Sequence, residues 1–214
     1  MKIKNLPWIT IAFFAIIIGL YPLLYFFVDM RTNGLLQSKP KAVLNSIFWN
    51  AAFYTHIIFG GIALLIGWAQ FSMNLRQRYL NAHRVVGKVY VAAVTLSSLA
   101  GLCIAFFATG GLVCVLGFSS LAIIWFISNM KAYITIRQGR VLQHQNWTTL
   151  NYDLTFAAVT LRVWLPLLIM FIFHDFLPAY RVVSWLCWIP NLIVALVIIN
   201  NRQKNVNTLL NQPA

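Results

Sequence analysis

The chain has 214 residues, 61% hydrophobic and 9% charged, with a formal net charge of +13. A soluble domain carries roughly 25% charged residues, and three acids (Asp29, Asp153, Asp175) with no glutamate cannot solvate a soluble surface of this size. The composition is that of a membrane protein. It excludes an HExxH zinc protease, a paired-glutamate glycosidase and a glutamate-built di-iron bundle. Cys103, Cys114 and Cys187 are scattered through apolar runs and fit neither a zinc knuckle nor a disulfide framework. The positive charge reads as loop lysines and arginines facing an anionic leaflet, not as a nucleic-acid surface.

A bilayer core requires about 20 apolar residues per helix. In chain order the candidate spans are Ile9–Phe27, Phe48–Phe71, Val86–Ala108, Leu112–Met130, Leu150–Phe173 and Val182–Ile199. The first follows Lys2 and Lys4 as a signal peptide would. It is too long for a typical signal-peptide core and lacks a small-x-small cleavage site, so it reads as a retained anchor kinked at Pro22. Thr109-Gly110-Gly111 joins the third and fourth spans as a tight hairpin. The remaining loops are short, and residues 1–214 read as a single six-span, all-α membrane domain.

With the N-terminus inside, Lys2, Lys4, Arg76, Arg78, Arg84, Lys88, Lys131, Arg137, Arg140, Arg202 and Lys204 fall on the inner side. Arg31, Lys39, Lys41 and Arg181 fall outside, a ratio of eleven to four, and Arg162 lies within a span. The positive-inside rule then places both termini in the cytoplasm. Trp8, Trp49, Trp147 and Trp185 lie near span ends, where indoles favour the interface.

Polar and small residues recur at helical spacing in three spans. Span two carries His56, Gly60, Ala63, Gly67 and Gln70, and span three carries His83, Gly87, Tyr90, Val94, Ser97 and Gly101. Span five, extended one turn, carries His144, Thr148, Asn151, Thr155, Ala158 and Arg162. Small residues allow close helix approach and polar ones turn inward, so these three spans are expected to line one interior. Span four supplies Ser119 or Ser120 as a weaker wall. The expected architecture is a four-helix core of spans two to five, with spans one and six peripheral.

Gly60 and Gly87 each follow a histidine, His56 and His83, by one turn. A glycine there leaves a recess beside the imidazole that admits either a neighbouring helix or a planar ligand such as haem. The segments His56 to Gln70, His83-Arg-Val-Val-Gly-Lys-Val-Tyr90, His144 with Trp147, and Thr160-Leu-Arg162 together resemble a family of bacterial predicted membrane proteins. That family is the domain of unknown function numbered twenty-three hundred and six. The resemblance covers about residues 45–170 and implies a multi-span inner-membrane protein, with no established activity or cofactor. The histidine-bearing helices are also similar, in architecture alone, to b-type membrane cytochromes.

His83 and His144 both stand at cytoplasmic helix starts, so their depths agree, as two axial ligands of a b-type haem require. His56 lies ~12 Å from the outer end of its span at about 1.5 Å per residue, over two turns deeper than His174, so a four-ligand, two-haem pattern is not supported. The sharpest expectation is one cytoplasmic-side haem on His83 and His144, with Gly87 giving room and Arg84 or Lys88 neutralising propionates; the alternative is that both histidines are interfacial and hydrogen-bond helix ends or lipid phosphates. Arg162 reaches a depth close to that of His56. Two readings follow: the pair shares a polar cavity in which Arg162 holds a haem propionate, a quinone oxygen or a lipid headgroup, or Arg162 caps carbonyls or serines within the bundle. Asp153 is expected to pair with Arg84 or Lys88. The rival readings are a binder or small transporter with a pocket lined by His56, Gly60, Gln70, Asn151 and Arg162, and an assembly partner without ligand.

Overall fold

The structure, a computed structural model, describes residues 6–27 and 34–210. Lys2, Lys4, Asp29 and Arg31 lie outside the described residues. Ten α-helices are described: α1 (Leu6–Leu20), α2 (Lys41–Leu44), α3 (Ile47–Gly67), α4 (Met73–Arg78), α5 (Leu80–Ala105), α6 (Leu112–Arg137), α7 (Val141–Thr155), α8 (Ala157–Leu168), α9 (Phe176–Leu186) and α10 (Ile189–Leu210). No strand occurs among the described residues. Six helical stretches are long and apolar enough to cross a bilayer: Trp8–Phe26, Ile47–Phe71, Leu80–Ala105, Leu112–Arg137, Val141–Phe173 and Phe176–Thr208.

Several helices outrun the apolar segments that announce them. α5 begins at Leu80, ahead of Val86, and the His83 N–H is held by the Tyr79 carbonyl at 3.0 Å. α7 begins at Val141, just after Gly139 turns the chain at φ 73°. At these ends the helix continues through polar residues that hydropathy alone leaves in a loop. These extensions bring His83 and His144 onto ordered helix.

The helices pack in sequence. α3 lies on α5, α5 on α6, and α6 on α7; span six follows with α9 against α6 and α8 and α10 against α7. The main core runs from Ala63 and Tyr90 through Trp125, Tyr152 and Leu154 to Tyr180, Val183 and Trp188. α1 packs on α3, where a Cβ on Gly61 would sit 2.6 Å from the Gly19 carbonyl oxygen. Absence of a side chain there allows the two backbones to touch, the usual device for close packing between membrane helices. Leucine, isoleucine, valine and phenylalanine such as Phe13, Leu99, Ile127 and Val197 face outward, as lipid requires.

Span two ends in a 3-10 turn, Trp68–Phe71, span six breaks between α9 and α10, and spans one and five are the most irregular in their course. Pro22 follows α1 and the chain tightens into a 3-10 helix, Tyr21–Phe26. Span five breaks at Phe156, contains Pro166 within α8, and ends in a π-helical turn, Ile169–Phe173, closed by His174 at φ 53°. Proline has no N–H for the carbonyl four residues back, and in α8 that carbonyl belongs to Arg162.

At the hairpin end, Gly110 and Gly111 take φ of 105° and 76°, which a side chain would strain. The Arg181 Nε donates to the Gly110 carbonyl at 3.0 Å, and the Lys39 ammonium donates to the Phe107 carbonyl. Burial lowers the Lys39 pKa from its ordinary value to about 8. In the window from about 8 to the ordinary value the folded chain binds fewer protons at this site than the unfolded one, so the group's contribution to stability rises with pH there. A pulse of acylating reagent, read by mass spectrometry, should modify Lys39 with a half-maximal rate near pH 8. A rate that climbs undiminished through pH 10 would mean that Lys39 is not held in this partly buried contact.

Candidate functional site

The end of the bundle opposite the hairpin carries most of the basic side chains, and here α5 and α7 carry one histidine each, His83 and His144. His83 and His144 lie within electrostatic reach of each other. The His144 Nδ1 is 2.9 Å from the Ala132 carbonyl oxygen. A carbonyl can only accept, so Nδ1 carries the proton and Nε2 the lone pair. Thr148 holds the same turn by donating to the His144 carbonyl at 2.8 Å.

Around this pair lie buried polar atoms with no partner: the His83 Nδ1, the Gln70 Nε2 and the Arg76 Nε. Gln70 is only 8% exposed, so its free N–H2 is costly unless something outside the chain meets it. Its Oε1 lies 3.5 Å from where a Gly87 Cβ would stand. That is ordinary van der Waals contact, so Gln70 reaches the space one turn from His83 without requiring a glycine at position 87. Arg76 is within electrostatic reach of both histidines, and Arg84 of His83. Arg202 closes the outer side of α7, donating to the Asn146 Oδ1 at 2.8 Å and the Thr149 Oγ1 at 3.2 Å.

Among the described residues no ion pair links Asp153 to Arg84 or Lys88. Its backbone carbonyl accepts from the Asn191 amide at 3.1 Å, which ties α7 to α10. The cationic end is therefore not neutralised by this carboxyl.

The second polar region lies toward the hairpin end. The His56 Nδ1 is 2.9 Å from the Ser97 carbonyl oxygen, and Ser97 Oγ donates to the His56 carbonyl at 2.8 Å. The glycine that receives the His56 ring is Gly101, whose Cβ would stand 2.8 Å from Nδ1; Gly60, one turn along its own helix, instead faces the Ser97 Oγ at 3.0 Å. Trp125 meets the imidazole edge-on with ring centroids 6.4 Å apart. Arg162 donates from Nη1 to the Ala158 carbonyl at 2.9 Å, and its guanidinium carbon lies 4.6 Å from the Tyr21 ring centroid. It is within electrostatic reach of His56 and Tyr25.

The pocket residues proposed from sequence thus divide. His56 and Arg162 face one region, whereas Gln70 belongs to the His83 end. Asn151 is fully buried between helices: its Nδ2 donates to the Trp125 carbonyl and the Ser128 Oγ, both at 2.8 Å, and its Oδ1 accepts from the Tyr90 hydroxyl at 2.7 Å. Both amide N–H donors are spent within the bundle, and the residue is fully buried. Sequence reasoning misses Arg76, which looks like an ordinary loop cation, and Tyr21 and Tyr25. The last two form an i, i+4 pair of polar-tipped rings in a span otherwise uniform in hydropathy, and that spacing was the available signal.

Among the described residues no group of three or more His, Cys, Asp or Glu gathers as metal ligands. Comparison with curated proteins and with solved structures returned no match. A family model described as "Predicted membrane protein (DUF2306)" matches residues 53–199, which include His56, His83, His144 and Arg162. The chain belongs to this DUF2306 family of predicted membrane proteins.

Proposed function

We propose that this protein is a membrane redox protein that holds one b-type haem at its basic end, with His83 and His144 as axial ligands. The observation that carries the reading is that two histidines on different helices stand at one end of the bundle, within electrostatic reach of each other and beside buried, unpartnered polar atoms. A porphyrin supplies four nitrogens itself and asks the protein only for axial ligands, which suits a pair. The contact from the His144 Nδ1 to the Ala132 carbonyl is the kind of outer hydrogen bond that fixes a ligating imidazole and raises its basicity. Arg76 and Arg84 would offset the two propionates, in a neighbourhood where no acid competes. Bound haem would supply one-electron transfer; the chain would hold it, orient it and set its polarity. Quinones and anionic lipids are the partners that fit a cationic, membrane-facing site.

The test is a reduced-minus-oxidised spectrum of the full chain purified after expression with abundant haem. A Soret band with a sharp α-band supports the reading, and colourless protein overturns it.

Charge asymmetry supports a bacterial inner-membrane location with the basic end and both termini in the cytoplasm, because eleven of the fifteen basic residues other than Arg162 fall on or near that side. An alkaline phosphatase fusion at the C-terminus should be inactive, and one near Lys39 active. The reverse pattern would invert the orientation. The rival reading, a binder with an intramembrane pocket, draws on Arg162, which is independent of the haem site.

A further inference from the structure

We infer that Arg162, with Tyr21, Tyr25 and His56, forms a binding site for an oxyanion, the phosphate or carboxylate group of an acidic lipid or of a small organic acid, in the hairpin-end half of the bundle. Three independent observations converge there. The first is the cation itself. A guanidinium within a span costs about 2.5–3.5 kcal/mol on insertion scales and is ordinarily compensated by a partner or a polar cavity. Arg162 has five N–H donors, and the structure assigns one protein acceptor, the Ala158 carbonyl at 2.9 Å, besides the face of Tyr21. Among the described residues no carboxylate pairs with it.

The second observation is the run of aromatic rings that begins at the Tyr21 face beneath the guanidinium. Tyr21 and Tyr25 pack edge-to-face at 6.1 Å, Tyr25 on Phe53 at 5.4 Å, and Phe53 stacks on Trp49 at 5.0 Å. Trp49 is 5% exposed and its indole N–H is buried without a partner. A guanidinium and an indole N–H only donate, and a phenol hydroxyl donates as well as accepts, so the Arg162 and tyrosine side chains offer several donors to an oxyanion. His56 adds one acceptor: its Nδ1–H is spent on the Ser97 carbonyl, which leaves a lone pair on Nε2. That lone pair can receive the hydroxyl of a singly protonated acid.

The third observation is the backbone. Both walls are the most irregular spans: the Tyr21–Phe26 3-10 helix after α1, and α8 with Pro166 four residues beyond Arg162 and a π-helical turn following it. Interrupted helices at membrane depth are tolerated where they line a cavity or a bound polar group, and π-turns concentrate at functional sites.

The experiment uses the full chain in detergent, titrated separately with phosphatidylglycerol, phosphatidylcholine, inorganic phosphate and benzoate, with binding read by native mass spectrometry and by the thermal unfolding midpoint. Retention of phosphatidylglycerol over phosphatidylcholine identifies a lipid source. A midpoint raised by phosphate or benzoate identifies a free acid. In either case Arg162→Gln should abolish the effect. Arg162→Lys keeps the charge but loses the planar fork, so it should weaken binding about tenfold or more; it serves if the glutamine variant does not accumulate. Failure of every probe to bind wild-type protein, or unchanged affinity in both variants, overturns the inference. Asp29 lies outside the described residues and is the internal alternative. If Asp29→Asn lowers stability as much as Arg162→Gln, the double variant is no worse, and no probe binds, the counter-charge is internal and the inference fails. None of these readouts depends on haem.

Discussion

Replacing either His83 or His144 with alanine should abolish the Soret band, while His56→Ala and His174→Ala should leave it. The two histidines of the basic end come from α5 and α7 and lie within electrostatic reach of each other, so on the proposed haem reading loss of one removes half of the axial pair. His174 is exposed at the far end of span five, and His56 is enclosed by Ser97, Gly101 and Trp125. Neither is placed to share a ligand with the pair. Loss of colour could also follow from a loosened helix end, so the informative companion is His144→Gly. Added imidazole should restore its band by filling the vacated ligand position. Rescue by imidazole together with an unchanged His56→Ala spectrum would assign the ligand; loss of the band in His56→Ala alone would move the site to the other half of the bundle.

Asn151→Ala should be the most destabilising single change within the spans. Its side chain makes three contacts to α5 and α6, through the Tyr90 hydroxyl at 2.7 Å and the Trp125 carbonyl and Ser128 Oγ at 2.8 Å. The network continues through Thr155, whose Oγ1 accepts from the Trp125 indole at 2.8 Å and lies 2.9 Å from the Tyr90 hydroxyl. Interhelical hydrogen bonds in membrane proteins average about 0.6 kcal/mol, with a maximum near ~1.7. Three lost together cost about 2–3 kcal/mol, since each leaves a group in a dry interior. For a chain of this size that lowers the unfolding midpoint by roughly 5–10 °C, measurable in detergent against the lipid-facing control Ile127→Ala. An unchanged midpoint with an altered spectrum or ligand affinity would mean that Asn151 serves a ligand rather than the helix packing.

How far the sequence carried the account depends on which physical signal each feature leaves. Six spans were legible because a bilayer imposes length and hydropathy on a contiguous run. Span ends were not, because Leu80–Val85 and Val141–Thr149 stay helical through polar residues at the water boundary, where hydropathy is silent. Helical periodicity put His83, Gly87 and Tyr90 on one face, and His144, Asn151 and Arg162 on another. It could not distinguish Asn151, whose amide N–H donors are spent on Trp125 and Ser128, from Gln70, whose amide N–H2 is left over. That difference exists only when helices are docked. The glycines show the same limit. A glycine one turn from a histidine on its own helix suggested the recess, yet the residue that receives the His56 ring is Gly101 on the next helix, a pairing no local spacing encodes.

The measurement that bears most directly on the central claim is the haem content of the purified full chain by the pyridine haemochrome assay, after expression with haem in excess. One site with two axial histidines predicts one haem b per chain, lost in His83→Ala and in His144→Ala. A value of zero in well-folded wild-type protein would contradict the account, and a value of two would contradict the single site at the basic end.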